Sequence, residues 1–150
     1  MNFMVADNDM NELCNCKKLR SAARHITRFY DASLSESGLR ATQYSILAYL
    51  EHREPKTMKE LANLMVMDRA TIGHNLRPLE RDGLITIQVS ETDRRARIVS
   101  ITDEGLKRLA LGRPGWERAQ AEFESQLGAE YVASMRKMMN EVARFNFDIE

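Results

Sequence analysis

Eight residues within one short segment include the residue types that bind DNA bases. Arginine can form two hydrogen bonds with guanine and asparagine two with adenine, while threonine and alanine can contact the thymine methyl group. The set consists of Asp68, Arg69, Ala70, Thr71, Gly73, His74, Asn75 and Arg77. We interpret it as the face of a helix that enters the major groove, although water alone also favours a polar helix face.

A second basic group lies in the segment SETDRRA, at the tip of a predicted β-hairpin. Arg95 at a narrow tip suits a minor groove, where narrowing deepens the negative potential. Asp93 would be repelled by phosphate, so we expect it to pair with an arginine and fix its direction. Arg94 and Lys59 complete the predicted DNA contacts. A flexible solvated turn is the alternative interpretation.

Three sequence patterns predict the elements that position these groups. Thr57 and Glu60 form a capping box, so a helix should begin near Met58, and Asp68 can cap the next helix. The buried positions are predicted to be Leu61, Ala62, Leu64 and Met65 in the first helix and Ile72, Leu76 and Leu79 in the second. Pro78 should bend or fray the second helix. Alternation over 85–89 and 97–101 predicts the hairpin, and this order defines a winged helix-turn-helix.

Helical apolar stripes flank this unit on both sides. One stripe runs from Cys16 to Tyr30, and a second helix is predicted from Thr42 to Leu50. Gly112, Pro114 and Gly115 predict a break or kink in or after the helix that follows the hairpin. The terminal stripe comprises Trp116, Gln120, Phe123, Leu127, Tyr131, Met135, Met138, Val142, Phe145 and Ile149. A chain of this size has too little core to cover that stripe, so we expect a second copy to pack against it.

Composition excludes several other classes of protein. The 150-residue chain carries 22 basic and 22 acidic side chains, so DNA contact must come from local patches, such as the one formed by Arg94, Arg95 and Arg97. No long apolar run predicts a membrane span, no signal peptide is recognisable, and we expect a cytoplasmic protein. His25, His52 and His74 lie in different segments, without catalytic or metal-binding spacing. We therefore expect no enzyme activity, no metal site and no cofactor.

The capped helix, the segment DRATIGHNLRPLERDGLI, the wing Asp93-Arg94-Arg95 and the following Thr102-Asp103-Glu104-Gly105 together resemble the MarR family of bacterial transcription regulators. The resemblance implies a mainly α fold with a small β-hairpin wing (α+β). Dimerisation helices would span 10–36 and 113–150, and the winged helix-turn-helix 40–110. It further implies an obligate homodimer that binds a near-palindromic operator in double-stranded DNA. Such a protein is usually a repressor, relieved by a small aromatic or phenolic ligand.

Ligand sites in this family commonly lie between the dimerisation helices and the winged domain. In this chain that region would draw on Arg24, His25, Arg28, Tyr30, Tyr44 and Leu47. Alternatively, Tyr30 and Tyr44 are core residues and the arginines are surface residues. Arg40 occupies a position where many relatives have a capping Thr or Ser, so we expect the helix cap to move to Thr42.

Cys14 and Cys16 allow a different form of regulation. They are too close for an ordinary disulfide within one helix and too few for a zinc site. They are either small apolar residues on a helix face or a thiol switch, and some relatives sense oxidants through thiols. A further alternative is a winged helix that binds protein instead of DNA.

Overall fold

The computed structural model describes residues 11–146, which contain six complete helices, a further helical stretch at residues 11–13 and a small sheet. The helices are α1 (Asn15–Ser33), α2 (Ala41–Tyr49), α3 (Met58–Met65), α4 (Arg69–Arg81), α5 (Asp103–Leu127) and α6 (Ala129–Ala143), with a 3-10 turn at Ser35–Ser37. The strands are β1 (Lys56–Thr57), β2 (Ile85–Val89) and β3 (Arg97–Ile101). None of the helices described is long and apolar enough to cross a membrane. Ile149, the last residue of the predicted terminal stripe, lies outside the described residues.

The sheet has one more strand than the predicted hairpin. Its order is β1-β3-β2, with β3 antiparallel to both neighbours, and Val99 lies opposite Ile87 on one side and Lys56 on the other. The strand β1 leads directly into α3, whose start has the predicted capping box. Thr57 Oγ1 accepts from the Glu60 backbone N–H at 3.0 Å, and the Thr57 N–H donates to Glu60 Oε2 at 2.7 Å. The base of the wing is thereby joined to the helix-turn-helix.

The core lies among α2, α3, α4, the sheet and the first half of α5. Ile72, Leu76 and Leu79 are buried as predicted, and so are Leu61 and Ala62. Leu64 was predicted to be buried, but 44% of it is exposed. The prediction was wrong because the core packs against the side of α3 that carries Leu61, Ala62 and Met65, and Leu64 lies off that side.

Of the predicted break or kink at Gly112, Pro114 and Gly115, the break does not occur, because α5 continues through all three residues. A Cβ atom at Gly115 would overlap the Ser33 carbonyl oxygen, and one at Gly112 would lie 3.0 Å from the Tyr44 ring. These glycines therefore permit close helix packing. Pro114 leaves the Ala110 carbonyl without its helical donor, but Ala110 is exposed to water, which can replace that bond.

Asp31 supplies the cap that the sequence assigned to Thr42. The helix α2 begins at Ala41, whose backbone N–H donates to Asp31 Oδ1 at 2.7 Å, and Gln43 Oε1 accepts from the Arg40 N–H at 2.9 Å. A cap contributed by α1, ten residues away in sequence, satisfies the same orphan donors as a local hydroxyl. The end of α1 is therefore tied to the start of α2.

The helix α4 extends beyond Pro78 to Arg81, so the expected early fraying does not occur. The helix ends one turn later, at the C-cap residue Asp82, before Gly83. Because Pro78 lies in the last turn, it removes only one bond near an end that is open in any case. The N-terminal turns of α4 retain their helical geometry.

Candidate nucleic-acid interface

The exposed face of α4 carries three of the predicted base-reading residues in one row. Ala70, His74 and Arg77 are exposed and spaced at four and three residues, opposite the buried row that begins at Ile72. Arg69 and Thr71 are exposed in the first turn. This row is the part of the predicted set that a duplex could contact without any rearrangement.

Gly73 and Asn75 lie on the flanks of that face. A Cβ atom at Gly73 would lie 3.7 Å from Met58 Cε, so this position faces α3. The Asn75 side-chain amide donates to the Thr71 carbonyl at 2.8 Å and lies 3.9 Å from Met67 Sδ. Asn75 would have to change rotamer to bind adenine in the geometry the sequence suggested.

Asp68 caps α4, as its position predicted. Its Oδ1 accepts from the Thr71 backbone N–H at 2.7 Å. Hydrogen bonds from Thr71 hold the pKa of Asp68 below its ordinary value. An ionised carboxylate at this end also complements the positive end of the helix dipole. The cap fixes the first turn, in which Arg69 lies.

At the wing tip, Asp93 fixes the backbone next to Arg95. Asp93 Oδ1 accepts from the Arg95 backbone N–H at 3.0 Å, and the Ala96 N–H donates to the Asp93 carbonyl at 3.0 Å. The sequence predicted a pair between the carboxylate and an arginine, and the bond goes to the backbone N–H of that arginine. The short Asx-type bond is available locally, whereas a guanidinium pair would hold two exposed side chains in place.

A cleft separates the wing from α3 and the start of α4. We call it the wing cleft; its volume is about 490 Å³. Its charged lining is formed by Lys59, Arg69, Arg95, Arg97 and the carboxylate of Asp93. Four cations and one carboxylate make it a positive concavity. The structure thus places Lys59, Arg69, Asp93 and Arg95, four of the predicted DNA contacts, around one space.

Of the seven residues of the wing cleft that were absent from the predicted DNA contacts, Arg97 is the charged one and Asn63 carries a side-chain amide. Arg97 could have been found from strand alternation, because it lies two residues before the buried Val99 on the same face of β3. Asn63 carries no comparable signal. Arg94, which was predicted, is exposed at the tip, and its carbonyl accepts from Arg97 Nη1 at 3.1 Å.

The candidate ligand residues are distributed over several sites. His25 and Arg28 line a cleft of about 660 Å³ between α1 and the end of α5, together with Phe29 and Phe123. Arg24 borders a separate depression on α1, which also includes Arg28. The predicted set does not converge on a single cavity among the described residues.

The remaining ligand candidates are more deeply packed. Tyr30 donates its hydroxyl to Gln120 Oε1, and partial burial raises the pKa of Tyr30. Burial likewise raises the pKa of Tyr44, whose ring stacks on Trp116 with centroids 6.2 Å apart. Tyr44 and Leu47 are buried in the core, which agrees for Tyr44 with the alternative left open by the sequence.

Both cysteines are exposed at the start of α1. Cys14 is the N-cap residue, and its Sγ accepts from the Lys17 backbone N–H at 3.4 Å. Neither thiol is therefore packed against another part of the described chain. Among residues 11–146 there is no cluster of three or more His, Cys, Asp or Glu side chains with metal-binding geometry.

The fold and the basic cleft define a winged helix-turn-helix protein, and comparisons with known proteins agree. The MarR family profile matches residues 37–96. The organic hydroperoxide resistance transcriptional regulator of Bacillus subtilis is 33% identical over 107 residues, which cover 70% of this chain and 71% of that protein. The transcriptional regulator HosA of Escherichia coli O157:H7 is 31% identical over 65% of this chain and 76% of its own length.

A solved structure extends the similarity to nearly the whole chain. The Mycobacterium tuberculosis transcriptional regulator MosR, solved in complex with DNA, is 33% identical, with a TM-score of 0.77 over 88% of this chain and 99% of that one. The protein therefore belongs to the MarR family of DNA-binding transcriptional regulators. This membership confirms the expected class of regulator, as opposed to an enzyme, and favours DNA binding over the protein-interaction alternative.

Proposed function

We propose that the protein is a homodimeric repressor that binds a near-palindromic operator and releases it in response to an effector. The observation that carries DNA binding is the wing cleft, where Lys59, Arg69 and Arg95 converge beside the exposed row of α4. A helix for the major groove and a basic tip for the minor groove are the two parts of winged-helix docking.

The dimer is supported by apolar surface on the terminal helices. The helix α1 has no buried residue, and Val132 is the only buried residue of α6. The exposed apolar side chains of these helices and of the end of α5 include Leu19, Leu127, Tyr131 and Met138. A second copy is the partner that this surface fits, because a two-fold axis would place two α4 helices about 34 Å apart, one turn of DNA.

Light scattering after size-exclusion chromatography tests the dimer. We expect a stable dimer at micromolar concentration, and a stable monomer would contradict the proposal. Met138→Glu places a charge on the exposed stripe and should shift the protein toward monomer. Glu104→Gln, on the exposed start of α5, serves as the control and should leave the dimer intact.

A small aromatic acid or phenol is the proposed effector. The cleft that contains His25 and Arg28 supports this ligand class, since Phe29 and Phe123 offer apolar rings and Arg28 offers a partner for a carboxylate. A ligand that binds one dimer conformation better than another would shift the DNA-binding equilibrium. Aromatic acids added to a gel-shift assay should release wild-type protein, and Arg28→Ala should require a higher concentration.

Thiol oxidation is the second candidate for regulation. Cys14 and Cys16 are exposed, and the Cys14 thiol caps α1. The similarity to a regulator named for organic hydroperoxide resistance also supports it. Oxidation of Cys14 would alter the first turn of a proposed dimerisation helix. An organic hydroperoxide should then release DNA from wild type but not from Cys14→Ser, whereas equal release from both proteins would contradict this candidate.

A further inference from the structure

The wing cleft has the features of a binding site for one segment of DNA backbone. It lies between Arg69, at the start of α4, and Arg95, at the wing tip. If α4 occupies the major groove and the wing the adjacent minor groove, the sugar-phosphate strand that separates those grooves must pass between them. The following inference rests on the proposed DNA binding.

The lining of the cleft matches the chemistry of a sugar-phosphate chain. Lys59, Arg69, Arg95 and Arg97 contribute positive charge, and Met58, Ala62 and Met67 contribute apolar surface. Phosphate oxygens bind cations, and the apolar faces of deoxyribose need no hydrogen bonds. The volume of about 490 Å³ falls in the range of roughly 300–1,000 Å³ typical of sites for small organic groups.

Arg97 is the cation that the wing cleft adds to the predicted DNA contacts. Val99, two residues along β3, is fully buried, so Arg97 projects from the same face of the strand toward the helices. One of its terminal nitrogens donates to the Arg94 carbonyl at 3.1 Å. A guanidinium has five N–H donors, so this single anchor leaves others for phosphate oxygens. Its anchor holds the side chain beneath the wing tip.

In the described part of the chain, the ion pairs do not involve the cations of the wing cleft. Arg53, Arg113 and Arg136 pair with Asp103, Glu51 and Glu124, respectively. Within residues 11–146, no ion pair involves Lys59, Arg69, Arg95 or Arg97. The single carboxylate of the cleft, Asp93, is engaged by the Arg95 backbone N–H. The positive charge of the cleft is thus not neutralised within the described protein.

We propose that Arg97 binds a phosphodiester of the strand between the two grooves and thereby positions the wing without reading sequence. The test is a scan of the operator with single neutral methylphosphonate linkages, using wild type, Arg97→Ala and Arg97→Lys. Lys107→Ala, which removes an exposed charge from α5 outside the wing cleft, is the control. Circular dichroism establishes that each variant is folded.

In each half-site we expect one linkage whose neutralisation weakens wild-type binding roughly tenfold and leaves Arg97→Ala unaffected, as for loss of one charged hydrogen bond. Arg97→Ala should weaken binding to the operator and to an unrelated duplex by the same factor, and should reduce the salt slope by about 1 for each protomer, or about 2 for the dimer. Arg97→Lys should restore most of the slope, because a point charge suffices for phosphate.

Two results would overturn the inference in distinguishable ways. In the first, wild type binds DNA, Arg95→Ala binds less well, and Arg97→Ala matches wild type at every linkage and salt concentration. The phosphate role of Arg97 is then wrong, but DNA binding stands. If folded wild type binds no duplex, including DNA from upstream of its own gene, the proposed DNA binding fails and the inference fails with it.

Discussion

The Asp93 carboxylate accepts a hydrogen bond from the Arg95 backbone N–H at 3.0 Å, so an acidic side chain fixes the position of the basic residue at the wing tip. This relation accounts for a carboxylate in a surface that we propose binds DNA phosphate. The repulsion between the Asp93 carboxylate and DNA phosphate is offset by the ordered turn. This order reduces the conformational freedom that Arg95 would lose on binding.

Replacement of Asp93 tests that relation. Asp93→Ala removes the acceptor and should weaken DNA binding by increasing the mobility of Arg95, despite the loss of a negative charge. Asp93→Asn keeps an acceptor and should bind at least as well as wild type. Fluorescence anisotropy with a labelled operator measures both affinities. Tighter binding by Asp93→Ala would show that charge, and not order, dominates at the tip.

Arg77 on α4 should determine sequence preference. It is exposed in the row of Ala70 and His74, and loss of a bidentate contact with guanine costs about 1–3 kcal/mol of discrimination. We expect Arg77→Ala to relax the preference at one base position, measured with a panel of single-substitution operators. The matched control is Arg81→Ala, because Arg81 pairs with Asp82 at 3.3 Å near the end of the same helix. Unchanged preference in Arg77→Ala would exclude Arg77 as a base-reading residue.

Gly115 and Gly73 form a contrasting pair for stability. A Cβ at Gly115 would overlap the Ser33 carbonyl oxygen, so Gly115→Ala should lower the free energy of unfolding by about 1–3 kcal/mol. At Gly73 the atom nearest to an added Cβ is 3.7 Å away, which is an ordinary contact. Gly73→Ala should therefore raise the free energy of unfolding by about 0.5–1 kcal/mol. Urea denaturation measures both. Equal stability of the two variants would contradict the close approach of α5 to the end of α1.

The cap at Asp68 predicts that the free energy of unfolding decreases at acid pH, which we call the acid limb of the stability profile. Hydrogen bonds from Thr71 lower the pKa of the Asp68 carboxyl in the folded protein. The ionised cap therefore stabilises the fold fully above the pKa that Asp68 has in the unfolded chain. This stabilisation is lost as the pH falls through the lower pKa of the folded state, below about pH 4. Titration by NMR should show the lowered value. Asp68→Asn should flatten this limb, since an amide caps without titrating. An ordinary pKa for Asp68 would show that the cap is open in solution.

The parts of the fold that the sequence predicted are those governed by local rules. The box at Thr57 and Glu60, the cap at Asp68 and the spacing of Ile72, Leu76 and Leu79 all depend on residues within one or two turns. The resemblance to the MarR family extended these local elements to the whole architecture.

The wrong predictions concern interactions between segments distant in sequence. Gly115 predicts a break when considered alone, and its role is visible only when Ser33 packs against it. Asp31 caps Ala41 across a loop, which removes the need for Thr42. Likewise, strand alternation places Arg97 on the inward face of β3, but its position in one cleft with Lys59 depends on the packing of β3 against α3.

A salt-dependent gel-shift titration tests the central claim most directly. Wild type and Arg95→Ala would be titrated against DNA from immediately upstream of the gene and against an unrelated duplex. We predict specific, salt-sensitive binding by wild type and a marked loss of affinity and a shallower salt slope in Arg95→Ala. Equal binding by the two folded proteins would contradict a DNA-contacting wing.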